Sequence, residues 1–183
     1  MVNHIVIFVL ILPLLIIISA LILLLNGWPI FYKQERIGQH GKKFMMYKFR
    51  TMKKNNNITN EDLWNKNEAP FPFFKIKNDP RVTRFGRFLR KMAWDELPQI
   101  INILKGDMDI VGVRPVLESE VKYLSDSYYK YKPGFTGPTQ IYKNRRIELD
   151  EYNFLNDNFV KNYSLLLKIK IIIQSFKVFN KGM

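Results

Sequence analysis

The adjacent carboxylates Asp95 and Glu96 are the side chains of this sequence best suited to carry chemistry. A carboxylate can attack phosphorus as a nucleophile, move a proton, or hold a hard cation such as Mg²⁺. Taken alone, such a pair is ordinary for the first turn of a helix, where negative charge offsets the helix dipole. The neighbours change its meaning. Arg81, Arg84, Arg87, Arg90 and Lys91 come just before it, so anionic groups lie beside a cationic surface suited to phosphate. Consecutive helical residues diverge by about 100°, which leaves one carboxylate free to react while the other ligates a metal. Lys48-Phe49-Arg50 adds a basic-aromatic patch that fits either a lipid headgroup or a diphosphate.

Composition narrows the chemistry. Lys and Arg number 29 against 16 Asp and Glu, a formal charge of +13. That excess calls for an anionic partner: nucleic acid, anionic lipid or a phosphorylated substrate. With no Cys there are no disulfides or thiolate metal sites. The two histidines, His4 and His40, have no partner at ligand spacing, which removes a zinc site or a His-dependent triad. Carboxylates and basic residues must therefore do the work.

The elements that position these residues can be read in order. Ile5 to Leu25 carries no charge and as a helix would reach about 31 Å, one hydrocarbon core. It lacks the basic leader and small-residue cleavage site of a signal peptide. Pro13 should kink it, and two shapes fit: a kinked span, or a helix that enters and leaves one leaflet. Lys33, Arg36, Lys42, Lys43, Lys48 and Arg50 follow, which places the body on the cytoplasmic side. Residues 30–34 and 44–49 have strand character around a turn at Gly38-Gln39-His40-Gly41, the pattern of a β-hairpin. Lys53 to Asn60 reads as a polar loop. Phe85, Phe88 and Leu89 mark an amphipathic basic helix, and Leu97, Ile100, Ile101 and Leu104 a second helix ended by Lys105-Gly106. Asp95 and Glu96 occupy the first turn of that second helix. Residues 109–112 suggest a short strand, 117–131 a helix, and Pro133 to Pro138 a rigid loop. Residues 163–179 form an apolar stretch interrupted by Lys168, Lys170 and Lys177, which suits an interfacial helix better than a span.

Seven ordered segments carry a more specific signal. They are Lys33-Gln34-Glu35-Arg36-Ile37-Gly38, Tyr47-Lys48-Phe49-Arg50-Thr51-Met52, residues 79–87, Asp95-Glu96-Leu97-Pro98-Gln99-Ile100-Ile101-Asn102, Leu104-Lys105-Gly106-Asp107-Met108, Val111-Gly112-Val113-Arg114-Pro115 and Pro133-Gly134-Phe135-Thr136-Gly137. Together, over residues 10–175, the chain resembles the bacterial sugar transferases, the small monotopic phosphoglycosyl transferases of polysaccharide and glycoprotein assembly.

The resemblance implies a mixed α and β fold, mainly helical. A kinked re-entrant membrane helix over residues 1–28, bent at Pro13, would precede a cytoplasmic-face catalytic domain over residues 29–183. That domain would hold the small β-hairpin and interfacial amphipathic helices. It implies transfer of a sugar phosphate from a UDP-sugar to polyprenyl (undecaprenyl) phosphate at the bacterial inner membrane, the first membrane step of glycoconjugate assembly. Asp95 would be the nucleophile and form a covalent aspartyl sugar-phosphate, and Glu96 the Mg²⁺ ligand. Arg114 with Pro115 would recognise the uridine nucleotide, while Lys48, Arg50, Arg81 and Arg87 would hold phosphates and Gln140 and Arg145 would face the substrate.

Several positions depart from the family pattern. Leu12 precedes Pro13 where a Ser is usual, Ala93-Trp94 replaces Ser/Thr-Leu, Val113 stands for Pro, and Asn156 for Asp. The sugar, the pathway and the oligomeric state, homo-oligomer included, stay open. A membrane-tethered nucleic-acid or lipid binder would share the charge and the interleaved aromatics. It has no groove-reading motif and leaves Asp95-Glu96 without a task, so no nucleic acid is expected. A non-catalytic scaffold would not need the intact pair.

Overall fold

The computed structural model describes residues 2–54, 57–142 and 147–180. Its N-terminal apolar run is one helix, α1 (Val2–Asn26), with helix assigned on both sides of Pro13. By length and composition Val6–Asn26 could cross a bilayer. Its packing is one-sided. Leu15, Ile18 and Ile22 are buried, an i, i+3, i+7 stripe against the body, whereas Leu10 is 74% and Leu24 80% exposed. So much bare apolar surface fits membrane association.

Strands β1 (Phe31–Ile37) and β2 (Lys43–Phe49) form the expected antiparallel hairpin, with Phe31 opposite Phe49 and Arg36 opposite Phe44. Phe44, Met46 and Phe49 join the α1 stripe in the first core. Arg50 ties the two elements: Nε donates to Pro29 O at 2.6 Å, and Nη2 to Asn26 O and Gly27 O at 2.6 Å each. A guanidinium on the last carbonyls of a helix both fills their hydrogen bonds and answers the dipole.

Helix α2 (Arg84–Lys91) is the expected basic helix, capped by Thr83, whose hydroxyl accepts from Gly86 N at 2.9 Å. Gly86 is there for closeness, because a Cβ would strike the Thr51 carbonyl. Ala93 then adopts φ 55°, left-handed, and turns the chain into a 3₁₀ segment, Trp94–Gln99, that runs on into α3 (Ile100–Lys105). Gly106 ends that run at φ 79°.

A second core lies beyond β3 (Asp109–Val111), which pairs in parallel with β4 (Gly134–Thr136). Residues 133–138, expected as a loop, thus supply a strand. Gly112 and Gly134 permit the approach, since a Cβ on either would meet the other strand's backbone. Helix α5 (Leu165–Asn180) packs on this pair, and α4 (Leu149–Lys161) adds Tyr152 and Phe159 to the same core. Lys168 Nζ donates to Asp109 Oδ2 at 2.7 Å, and the Thr136 and Ser175 hydroxyls pair at 2.6 Å.

The helix expected over 117–131 is instead two 3₁₀ segments, Glu118–Tyr123 and Asp126–Lys130. Side chains compete with the helix there. Glu120 Oε2 turns back to accept from Leu117 N at 2.8 Å, and Ser125 Oγ donates to Asp157 Oδ1 at 2.5 Å.

Candidate active site

Asp95 and Glu96 sit where expected, at the start of the helical run that continues through α3. The left-handed Ala93 aims them. A non-glycine residue at positive φ carries strain of order 1–2 kcal/mol, which the packing around it must hold in place. Lys48, projecting from β2, reaches Glu96 with Nζ 2.6 Å from Oε1. Asp95 is half-buried, and its pKa is raised from 3.8 to about 6, first by burial and then by the Glu96 charge. Lys48 and Arg90 pull the other way. The result is a desolvated carboxylate, mostly ionised at neutral pH and held between cations.

Arg90 is the participant that sequence reasoning passed over. Its Nε donates to Thr51 Oγ1 at 3.0 Å, and burial lowers its pKa while Asp95 and Asp79 favour its charge. Five residues before Asp95 in a run of basic residues, nothing in its type set it apart. Only the fold turns it inward. Asn102, fully buried, holds the platform: Oδ1 accepts from Tyr47 N at 3.1 Å and Nδ2 donates to Met45 O at 2.8 Å. It thereby locks α3, and the pair upstream, to β2 on both sides of Met46.

The other expected site residues scatter. Arg50 is turned to the end of α1, with all of its donors on backbone carbonyls. Arg81 is buried against Asp79, with Nη2 to Oδ2 at 2.7 Å, and also donates to Asn60 Oδ1 at 2.8 Å. Burial pushes the Asp79 pKa up, and the bonds from Arg81 outweigh that and hold it low. Arg87 is exposed on α2 and donates to Val82 O at 3.1 Å.

Arg114 lies over the Phe73 ring at 5.2 Å, beyond the far end of the hairpin. Pro115 is buried, with its carbonyl accepting from Arg36 Nη1 at 3.3 Å. Gln140 Oε1 accepts from Thr139 Oγ1 at 3.1 Å. Arg145 falls outside the described residues. The structure therefore brings Lys48, Arg90, Asp95 and Glu96 together and gathers Arg114 and Pro115 with Arg36 in a second place.

Among the described residues no cluster of three or more His, Asp or Glu side chains could enclose a metal ion. Mg²⁺ is commonly held by only one or two carboxylates, with waters and substrate phosphates completing its shell. The Asp95-Glu96 donor set fits that mode of binding.

The sequence matches the family described as bacterial sugar transferase over residues 1–182. It is 39% identical over 166 residues to an undecaprenyl-phosphate galactose phosphotransferase of Salmonella typhimurium, covering 84% of this chain and 34% of that protein. It is 35% identical over 170 residues to the exopolysaccharide production protein ExoY of Sinorhizobium fredii, covering 89% of this chain and 75% of that one. A UDP-N-acetylgalactosamine-undecaprenyl-phosphate N-acetylgalactosaminephosphotransferase of Aeromonas hydrophila is 31% identical over 179 residues, covering 93% of this chain and 40% of that protein. The chain spans about a third of the length of the galactose phosphotransferase relative and others like it.

Proposed function

The chain belongs to the bacterial sugar transferase family, and on that premise we propose that it transfers a sugar phosphate from a UDP-sugar to polyprenyl phosphate through an aspartyl intermediate. The observation that carries this reading is Asp95 itself: half-buried, raised to about 6, and flanked by Glu96, Lys48 and Arg90.

An Asp95 oxygen forms a bond to the sugar-bearing phosphorus of the donor. The bond from that phosphorus to the bridging oxygen breaks, its electron pair stays on the bridging oxygen, and UMP leaves. The phosphate oxygen of the acceptor then attacks the same phosphorus and frees the carboxylate, giving polyprenyl-diphosphate-sugar. Dividing one displacement into two is what a carboxylate nucleophile offers. Burial strips Asp95 of water and sharpens its nucleophilicity. Arg90 and Lys48 keep it ionised, and Arg90 lies where it can meet the negative oxygens of the transferring group. Mg²⁺, held by Glu96, would supply charge neutralisation between the anionic carboxylate and the diphosphate.

The bare apolar face of α1 supports a membrane seat for this site. The basic residues after it favour the cytoplasmic face, with α5 along the interface, its exposed Leu165, Leu166 and Phe176 toward lipid. A re-entrant α1 would keep both of its ends on that face. Cysteines introduced at positions 2 and 54 should then react from one side of the membrane; opposite sides would rule re-entry out.

The chemistry is tested by incubating the protein with UDP-sugars and Mg²⁺ without acceptor. UMP release and a labelled protein adduct are expected with the correct donor, and both should vanish in Asp95→Asn. An adduct that survives this change would overturn the role given to Asp95. UDP-galactose, UDP-N-acetylgalactosamine and UDP-N,N′-diacetylbacillosamine form the first panel.

A further inference from the structure

Between α1, the start of β1 and α3 lies an open apolar groove with a volume of about 450 Å³. Leu12, Ile16 and Leu23 of α1 line one side, and Phe31 and Ile101 the other. The Ser19 hydroxyl in its wall is turned back to Leu15 O at 2.7 Å, so the groove offers a ligand only hydrocarbon. It is continuous with the bare apolar face of α1 that fits membrane association.

Both walls on the body side lead to a lysine. On β1, Phe31 and Lys33 share a face and stand about 7 Å apart. On α3, Ile101 and Lys105 are one turn apart on one side of the helix. The two lysines converge on Tyr47, which opposes Lys33 in the hairpin. Their ammonium groups stand 5.6 and 4.9 Å from the centre of its ring, and Lys105 Nζ donates to the Tyr47 hydroxyl at 3.2 Å. Lys132 Nζ adds a third cation beside Gly106, the residue after Lys105. Among the described residues none of the three lysines is in an ion pair. Their acidic neighbours in sequence are turned elsewhere: Glu35 to Lys43 at 3.3 Å, and Asp107 to within 3.4 Å of Asn102 Nδ2. Cations gathered over one aromatic ring, with no carboxylate to balance them, attract an anion.

A hydrocarbon slot that leads to a cluster of lysines matches a lipid with an anionic head. Strand alternation decides which lipid. Tyr47 and Lys48 point to opposite faces of β2, and Lys48 holds Glu96. A phosphate between Lys33 and Lys105 therefore lies on the far side of β2 from Glu96, away from the transfer step, and its lipid is a resident rather than the acceptor. We propose that the groove and its lysines hold one anionic phospholipid, with an acyl chain along α1 and the phosphate between Lys33 and Lys105. Such a lipid ties α1 to the hairpin and to α3, the helix that Asp95 and Glu96 lead into, and makes the seat of the protein sensitive to the charge of the bilayer. The inference rests on the membrane seat of α1 and not on the transfer chemistry.

The test is native mass spectrometry of the full chain in detergent, loaded with equimolar phosphatidylglycerol and phosphatidylcholine of matched acyl chains. Phosphatidylglycerol should be retained about tenfold over phosphatidylcholine. Lys33→Gln combined with Lys105→Gln should bring the two lipids close to equal, while Lys33→Arg with Lys105→Arg should keep the preference. Lys53→Gln with Lys54→Gln removes the same charge from an exposed loop that does not line the groove, and should change nothing. Ala20→Phe, which fills the slot, should lower retention of both lipids. A preference that survives the paired change at Lys33 and Lys105, or that falls equally with Lys53 and Lys54, would overturn the assignment. Displacement of phosphatidylglycerol by polyprenyl phosphate at equal concentration would overturn it too, since the groove would then be the acceptor's. If the protein floats with liposomes yet retains neither lipid, this inference alone falls. If it does not float with liposomes, the membrane seat falls and takes this inference with it.

Discussion

Asn102 and Asn156 are both fully buried, and their surroundings treat them in opposite ways. Asn102 spends its amide on other elements: it accepts from Tyr47 N, donates to Met45 O, and lies 3.4 Å from Asp107 Oδ2. Its own backbone carbonyl accepts from Asp107 N at 2.9 Å and Met108 N at 3.3 Å. Asn156 donates to Tyr152 O at 2.9 Å within its own helix, and its Oδ1 has no partner. One asparagine joins elements that are distant in sequence. The other sits beside the Tyr128 and Tyr152 hydroxyls, close enough to act on the ionisation of Tyr152 but with no well-formed hydrogen bond to either. The contrast separates a rigid half, the one that holds Asp95 and Glu96, from a half with spare hydrogen-bonding capacity.

The largest effect should come from breaking the first asparagine. Asn102→Ala strands Met45 O and Tyr47 N away from water, and each such orphan costs about 1–3 kcal/mol. A loss of about 4 kcal/mol is expected in denaturant titrations, together with a large fall in adduct yield as Asp95 loses its platform. A loss under 1 kcal/mol would mean that the strand and α3 are held by something else. Gly86→Ala attacks the same half by overpacking. Its methyl group would meet the Thr51 carbonyl, which is backbone and has little room to yield. About 3 kcal/mol is expected, and the Arg90 contact with Thr51 should be disturbed with it.

Legibility followed the same division. The hairpin, the basic helix and the place of Asp95 and Glu96 at the head of a helical run are legible because periodicity and charge are local signals. Phe44 and Met46 alternate, and Asp95 and Glu96 open a helical run. Arg50 and Arg81 look like phosphate ligands in sequence because residue type alone cannot tell a free guanidinium from one turned to Asn26 and Gly27 or paired with Asp79. In the second half even the elements were hidden. Leu117, Val121, Leu124 and Tyr128 mimic a helical repeat, while Glu120 and Ser125 divert the backbone into 3₁₀ turns. The parallel pairing of β3 with β4 depends on glycine contacts between segments more than twenty residues apart, and no local pattern announces it.

Asp95 offers a change of the opposite sign. Its pKa near 6 lies above the unfolded carboxylate value of about 4, so the folded state disfavours its charge. That destabilisation is complete above the folded value and fades as the pH falls toward the unfolded one. Asp95→Asn should therefore stabilise the protein by about 1–3 kcal/mol at pH 7.5, and the gain should disappear near pH 4. Adduct formation by the unaltered protein should drop along a titration centred near pH 6. A midpoint near 4 would mean that the cations outweigh burial.

The smallest effect should come from the second asparagine. Asn156→Leu keeps the approximate shape and removes a carbonyl oxygen that nothing satisfies. The Tyr152 carbonyl loses a side-chain donor but keeps its place in the α4 hydrogen-bond ladder. The change should therefore cost no more than about 1 kcal/mol, and removing the orphan oxygen can offset part of that. A cost of 3 kcal/mol or more would show that Oδ1 is bonded in solution, with water as the bridge to Tyr128 and Tyr152. The second half would then be as saturated as the first, and the difference between the two asparagines would be one of wet against dry bonding.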